Sequence, residues 1–325
     1  MKETRLKEME QLIDRKYDNL GGIIVQKGQK TVYEAYRNDC TALSPVHVFS
    51  VTKSILSLLI GIAVDQGYIK SIDQKVLDFF PDYTVKKGEK TIQDITLRDM
   101  LTMTAPYKYR FAPYPKYYSS EDWVKFSLDL LGGRGKIGTF RYAPVIGPDI
   151  FSGILVNATG RSVLDFAKEF LFDPLGIYVK DSVVFRNKEE QMAFYKDKKA
   201  EGWVSDPKGT HTGGWGLMLT LTDMLKIGKL YLNHGLWEGE QIVSAKWIQE
   251  STMQHSSFRK FKYGYLWWVI DEKERAYAAL GDGGNVIYVN EKRELVVAIA
   301  SYFKPKAEDR MKLIKEYIEP IFCEE

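Results

Sequence analysis

Apolar and polar positions alternate along this chain in two different periods. Leu6, Met9, Leu12 and Ile13 recur at three- and four-residue intervals and predict an amphipathic first helix. Residues 22–26 and 31–36 flank a Lys27-Gly28-Gln29 turn and predict a β-hairpin. The longest apolar repeat opens at Ser50, where Ile55, Leu58, Leu59 and Ile62 share one helical face and Gly67 is placed to end the helix. Thr96, with Asp99 three residues on, marks another helix start. Helical spacing returns near Ser120-Glu121-Asp122-Trp123 and over 149–159, 163–172 and 222–232. From Tyr263 the pattern changes: 263–270, 275–280, 285–289 and 294–301 are short runs rich in Val, Ile, Tyr and Trp between polar turns, and they predict an antiparallel sheet. A last helix is expected over 307–322, with Met311, Leu313, Ile314 and Ile318 on one face. Strands at both ends of a helical middle predict an α+β chain. Its antiparallel sheet is built from both termini and flanked by helices, with an α/β lobe from 1–64 and 258–325 and a mostly helical lobe over 65–257.

The stretch 106–118 fits neither period. It carries Tyr107, Tyr109, Phe111, Tyr114, Tyr117 and Tyr118 with three prolines, and serves either as a lid packed on helices or as the aromatic wall of a pocket. Tyr107 and Tyr109 are candidates for that wall.

Composition narrows the function. The 325 residues are 45% hydrophobic and 27% charged, which supports a large core rather than a disordered chain. With a net charge of +3 and basic residues interspersed with acidic ones, no nucleic-acid or anionic-membrane footprint is expected. Cys40 and Cys323 stand far apart and predict free thiols, not a disulfide framework or a metal site. A charged N-terminus without an apolar core, and no run of about 18 apolar residues, point to a cytoplasmic protein; an exported chain trimmed of its leader would look the same.

Candidate chemistry gathers at the Ser50 helix. Ser50 and Lys53 leave the same face of its first turn, so a hydroxyl and an amine lie side by side at the mouth of a buried element. A serine becomes a nucleophile when a base takes its proton, and lysine can be that base once burial and a helix N-terminus lower its pKa. The Ser-x-x-Lys spacing occurs four times, however, at Ser50/Lys53, Ser205/Lys208, Ser257/Lys260 and Ser301/Lys304. Only the first opens a long apolar helix, and a solvated surface pair remains the alternative. Other devices are weaker. The glycine pattern 133–138 follows a helical run and precedes no helix, which argues against a dinucleotide site. No Gly-x-Ser-x-Gly elbow occurs, and His47, His211, His234 and His255 form no His-Glu-x-x-His frame.

These residues resemble the serine β-lactamase and penicillin-recognising superfamily, in the class C-like branch that includes carboxylesterases and 6-aminohexanoate dimer hydrolases. The resemblance runs nearly the whole chain, through Ser50-Val51-Thr52-Lys53, Ile95-Thr96-Leu97-Arg98-Asp99-Met100-Leu101-Thr102, 171–177, Gly213-Gly214-Trp215-Gly216-Leu217 leading to Thr222-Asp223-Met224, and the Gly281-Asp282-Gly283-Gly284-Asn285 turn. It implies a β-lactamase/transpeptidase-like fold and an acyl-enzyme on Ser50, with no cofactor or metal. It implies that Tyr142, in Arg141-Tyr142-Ala143-Pro144, matches the family's Tyr-x-Asn/Ser motif and exchanges protons with Ser50 and the leaving group, its pKa lowered by Lys53. It places an oxyanion hole at the backbone N–H groups of Ser50 and Asn285, with Gly284 and Asp282 beside the substrate. Two positions depart from the family: Pro144 replaces Asn or Ser, and Asp282 stands where many members carry Lys or His to receive a substrate carboxylate. The implied activity is a serine hydrolase for a small neutral or weakly charged ester or amide. The alternatives are a penicillin-binding D,D-peptidase or weak β-lactamase, and a catalytically silent homologue that binds a ligand.

Overall fold

The structure is a computed structural model and describes residues 2–323. Helix α1 (Lys2–Lys16) leads into the hairpin β1 (Leu20–Lys27) and β2 (Lys30–Tyr36). A short strand, β3 (Pro45–His47), precedes α2 (Val51–Asp65). Then come α3 (Leu97–Leu101), α4 (Tyr114–Tyr118), α5 (Trp123–Leu130), α6 (Asp149–Thr159), α7 (Val163–Ala167), β4 (Ser182–Val183), α8 (Lys188–Lys196) and β5 (Trp203–Val204). They are followed by β6 (Met218–Thr220), α9 (Leu221–Leu232), β7 (Leu236–Trp237), β8 (Glu240–Gln241) and α10 (Ala245–Ser251). Strands β9 (Ser256–Phe258), β10 (Phe261–Tyr263), β11 (Trp268–Asp271), β12 (Ala276–Gly281), β13 (Asn285–Asn290) and β14 (Leu295–Ser301) complete the sheet.

Eight strands form one antiparallel sheet in the order β2-β1-β14-β13-β12-β11-β10-β9, so the N-terminal hairpin docks on the C-terminal meander as expected. β1 sets Ile23 opposite Ile299 and Ile24 opposite Ala298, and successive side chains enter opposite cores. Met9 and Ile13 of α1 and Leu313 and Ile318 near the C-terminus pack on one face, with Ile23, Val25 and Val297. The other face carries α2 and α9. Gly228 of α9 lies so close to the sheet that a Cβ would stand 2.4 Å from Val296, which fixes a small residue there.

Helix α2 is buried nearly all round, with every residue from Val51 to Ala63 buried. An all-round apolar helix must be central, and each fully buried Leu or Ile on it contributes about 1.5–3 kcal/mol. Its glycine at Gly61 is a packing requirement, because a Cβ there would lie 2.4 Å from the ring of Trp247 on α10. Gly67 follows the helix in the left-handed region at φ 78°, the conformation that ends α2.

Three expected elements differ. The run 263–270 is two strands, because Gly264 donates to the Trp267 carbonyl at 2.9 Å and the chain turns between β10 and β11. The last helical stretch starts at Arg310 rather than 307, where Asp309 accepts from the Met311 N–H and caps it. The aromatic stretch contains the short helix α4, whose Tyr117 is wholly buried among Trp123, Ile146 and Trp215. Among the described residues no helix is long and apolar enough to cross a membrane.

The mouth of α2 is where sheet and helices meet. Gly281, at the end of β12, packs on the loop before Ser50 so tightly that a Cβ would lie 2.2 Å from the Val48 carbonyl oxygen. Phe49 holds φ 48°, a conformation a bulky residue adopts at a cost of about 1–3 kcal/mol when its surroundings enforce it. Its ring is clamped between His47 at 3.8 Å and Phe303 at 5.4 Å. The strain falls on the residue that aims Ser50.

Candidate active site

Ser50 occupies the cap position of α2, but its side chain caps no helix N–H. Its hydroxyl instead accepts a 2.7 Å hydrogen bond from Lys53 Nζ. Lys53 is 1% exposed, and its amine also donates to the Gly214 carbonyl at 3.0 Å. Among the described residues no carboxylate forms an ion pair with it. Burial pushes its pKa down to about 7, against the pull of Asp282 and then Asp149 in the opposite direction. A buried amine near neutrality and in contact with a serine hydroxyl can accept that hydroxyl's proton.

The Gly214 carbonyl is held from behind. Asp149, at the start of α6, accepts from the Gly213 N–H at 2.9 Å and from the Tyr117 hydroxyl at 2.6 Å. Both glycines are required by close approach, since a Cβ on Gly213 would lie 2.2 Å from the Pro148 carbonyl and one on Gly214 2.8 Å from the Pro144 carbonyl. Burial raises the Asp149 pKa to about 7, offset by the Tyr117 and Gly213 hydrogen bonds. The position of Pro144 is thus backbone packing against Gly214. The sequence marks Asp149 only as a helix start; nothing local shows that it would be 2% exposed.

Tyr142 reaches the Ser50 and Lys53 pair, with Lys53 Nζ 5.5 Å from its ring centroid. The expected lowering of its pKa by Lys53 is not found. Burial raises the phenol to about 12, and its hydrogen bond with Ser50 pulls it down only in part. The physical reason is that Lys53, itself desolvated to near neutrality, lies over the ring and supplies little positive charge. Tyr142 is therefore a neutral phenol, able to relay a proton.

Tyr107 and Tyr109 line a surface hollow with Arg110, Arg134 and Arg141. They clasp Arg141, whose guanidinium lies 5.7 and 4.9 Å from their ring centroids and donates to the Tyr107 carbonyl at 2.7 Å and to the Tyr109 carbonyl. Tyr107 also fills the space beside Gly147. Both side chains anchor the segment that carries Tyr142. Tyr114, from the same stretch, is half-buried, and its phenol is raised mainly by burial, with the Asp282 charge adding to it.

The 281–285 turn divides its residues between two sides. Asn285 is fully buried, donating to the His47 carbonyl at 3.2 Å and the Asp282 carbonyl at 3.0 Å and accepting from the Ser301 N–H at 2.9 Å. It braces the turn rather than facing a substrate, because no surface of it is open. Gly284, at φ 97°, backs onto Arg310, whose Nε would be 2.7 Å from a Cβ there. Asp282 is exposed, and its charge acts on Lys53, Tyr142 and Tyr114.

The other Ser-x-x-Lys pairs have no such context. Lys208 pairs with Asp122 at 3.0 Å, Lys304 pairs with Asp18, and Lys260 lies over the exposed Phe261 ring. His47 is buried, its pKa pushed down to about 3, and its Nε2 accepts from the Gly216 N–H at 2.9 Å, a structural role. Cys40 and Cys323 are free thiols. Among the described residues no group of three or more His, Cys, Asp or Glu is arranged to hold a metal ion.

A profile of the β-lactamase family matches residues 9–317. A 6-aminohexanoate-dimer hydrolase of Paenarthrobacter ureafaciens is 20% identical over 327 residues, covering 93% of this chain and 77% of that protein. Among solved structures, a family VIII carboxylesterase superposes with a TM-score of 0.71 at 15% identity, over 97% of this chain and 96% of the other. The octameric penicillin-binding protein homologue from Pyrococcus abyssi superposes with a TM-score of 0.70 at 20% identity, over 97% and 76%. The eight-stranded sheet from both termini, the buried Ser50 helix and the match over nearly the whole chain agree: the chain belongs to the β-lactamase family of serine hydrolases.

Proposed function

We propose that the protein hydrolyses a small ester or amide through an acyl-enzyme on Ser50. The observation that carries this reading is the buried Lys53 amine, 2.7 Å from the Ser50 hydroxyl and with its pKa brought down to about 7. As Ser50 Oγ forms a bond to the carbonyl carbon, its proton passes to Lys53 Nζ. Tyr142 Oη gives its proton to the departing oxygen or nitrogen as that bond breaks and takes up the proton held on Lys53, so that phenol and amine are both neutral again. Water then adds to the acyl ester, and the same groups carry its proton back to Ser50. The oxyanion is received by the Ser50 N–H at the positive end of α2, with a second donor from the pocket side of the 281–284 turn, since Asn285 itself is buried.

The relatives act, by their names, on 6-aminohexanoate dimers and carboxylic esters, which are acyl compounds of this size. A D,D-peptidase or β-lactamase activity is disfavoured by Asp282, whose charge opposes a substrate carboxylate. In this reading the site lies where an α/β lobe, 1–64 and 258–325, would meet a helical lobe, 65–257, and needs no cofactor. The test is labelling by a fluorophosphonate serine probe together with turnover of short-chain aryl esters. Stoichiometric labelling that is lost in Ser50→Ala supports the acyl-enzyme. Labelling retained in Ser50→Ala places the nucleophile elsewhere.

A further inference from the structure

The net charge of +3 hides a local excess. No acid occurs between Asp99 and Glu121 or between Asp129 and Asp149, and these two segments carry Lys108, Arg110, Lys116, Arg134, Lys136 and Arg141. The fold lays the segments side by side. The Lys108 N–H donates to the Leu130 carbonyl at 2.8 Å, Gly132 to the Pro106 carbonyl at 2.9 Å, and Arg141 to the Met103 carbonyl at 2.6 Å. Glycine permits the approach, since a Cβ on Gly133 would stand 2.9 Å from Lys108 Cγ and one on Gly135 2.6 Å from Pro106 Cβ.

The two segments enclose a hollow of about 590 Å³, lined by Lys108, Arg110, Arg134 and Arg141 with Tyr107 and Tyr109, and by no acid. One of these charges is answered. The buried Glu89 carboxylate pairs with Lys108 at 3.1 Å and accepts from the Gly133 and Ile92 N–H groups. The Asp129 carboxylate is taken by Lys125 and Lys86. Arg141 is fixed in place, donating to the Tyr107 and Tyr109 carbonyls with its guanidinium 4.9 Å from the Tyr109 ring centroid. Arg110 and Arg134 are exposed. Arg110 lies over the Phe111 ring at 5.4 Å, and among the described residues neither arginine forms an ion pair.

Like charges around one concave surface repel each other, and an anion seated among them replaces that repulsion with attraction. Guanidinium forks match phosphate oxygens two at a time, and a phosphate monoester brings about −1.5 to −2 charges and three strong acceptor oxygens at neutral pH, more than one carboxylate offers. An extended polyanion would need a basic track running on across the surface, whereas this excess is confined to two short segments.

We propose that the hollow binds the phosphate group of a compact phosphorylated compound, gripped by Arg110 and Arg134 against the fixed Arg141. The site does not depend on Ser50, and its failure would leave the acyl-enzyme reading untouched.

The test is titration calorimetry of the full chain with inorganic pyrophosphate at low salt, where screening is weak. Saturable binding is expected, weakened at least about tenfold in Arg110→Ala/Arg134→Ala and by less than about twofold in Lys246→Ala/Lys292→Ala, which removes as much charge from exposed lysines elsewhere. If the arginine-to-alanine pair does not fold, Arg110→Gln/Arg134→Gln takes its place. Sedimentation with phosphatidylcholine vesicles, with and without phosphatidic acid, separates the sources of the phosphate. Pyrophosphate binding by a chain that stays in the supernatant marks a soluble compound; pelleting only with phosphatidic acid, lost in Arg110→Ala/Arg134→Ala, marks a lipid headgroup. Neither saturable pyrophosphate binding nor such pelleting overturns the proposal. Binding that is unchanged in the arginine pair, or equally weakened in the arginine and lysine pairs, overturns it as well, because net charge alone would then account for it.

Discussion

Asp149 and Lys53 are joined through two consecutive glycines: Asp149 accepts from the Gly213 N–H at 2.9 Å, and Lys53 donates to the Gly214 carbonyl at 3.0 Å. The acid thus fixes the acceptor that aims the amine at Ser50, and through space its charge favours the protonated amine. Replacing it separates the two effects. Asp149→Asn keeps an acceptor for Gly213 and a partner for Tyr117 but removes the charge, so the Lys53 pKa falls further. The acid limb of the kcat/KM profile is expected to move to lower pH. Asp149→Ala also leaves buried partners unpaired and should cost about 2–4 kcal/mol of stability in urea unfolding. An acid limb that stays in place in a folded Asp149→Asn would show that Asp149 does not act on Lys53.

The pH profile of the wild type follows from the Lys53 and Tyr142 values. Lys53 must be neutral to accept the Ser50 proton, and its pKa is lowered to about 7, so kcat/KM for a neutral ester should rise through that pH and level off above it. Tyr142, raised to about 12, stays a phenol over the whole working range and adds no alkaline limb below about pH 10. An alkaline limb near 8 that disappears in Tyr142→Phe would refute this assignment.

Ser50→Ala should abolish ester turnover and leave stability nearly unchanged. Substituting a capping serine usually costs about 1 kcal/mol, but the Ser50 hydroxyl caps nothing, so a thermal midpoint within about 2 °C of wild type is expected.

Lys53→Ala should reduce turnover by about a thousandfold, the scale of losing a positioned base, whereas Lys208→Ala, Lys260→Ala and Lys304→Ala should change it by less than about twofold. The three controls carry exposed or half-exposed lysines paired with an acid or lying over a ring. Steady-state rates on one aryl ester decide the matter, and equal losses in all four would break the link between burial and catalysis.

A fold prediction tests the packing under the site. Gly61→Ala places a methyl 2.4 Å from the Trp247 ring, and α2 and α10 must then part at a cost of about 1–3 kcal/mol. Calorimetry should show a lower midpoint. An unchanged one would mean that Trp247 yields freely.

What the chain determines by itself is what depends on neighbours in sequence. The period of Ile55, Leu58, Leu59 and Ile62 makes α2, Thr96 and Asp99 make a reciprocal helix cap, and the strand runs after Tyr263 make the meander that β1 and β2 join. Ser50 and Lys53 meet because three residues is one helical turn. Tertiary structure decides what depends on distance across the fold and on exclusion of water. It buries Lys53 and Tyr142, lowering one pKa and raising the other, and no local pattern carries the sign of that effect. It also turns Tyr107 and Tyr109 onto Arg141, closes Asn285 behind its own hydrogen bonds, and brings Tyr117, Asp149 and Gly213 together from three separate segments. Spacing in sequence places side chains on a common face; dielectric and cross-chain contact exist only once the faces have packed.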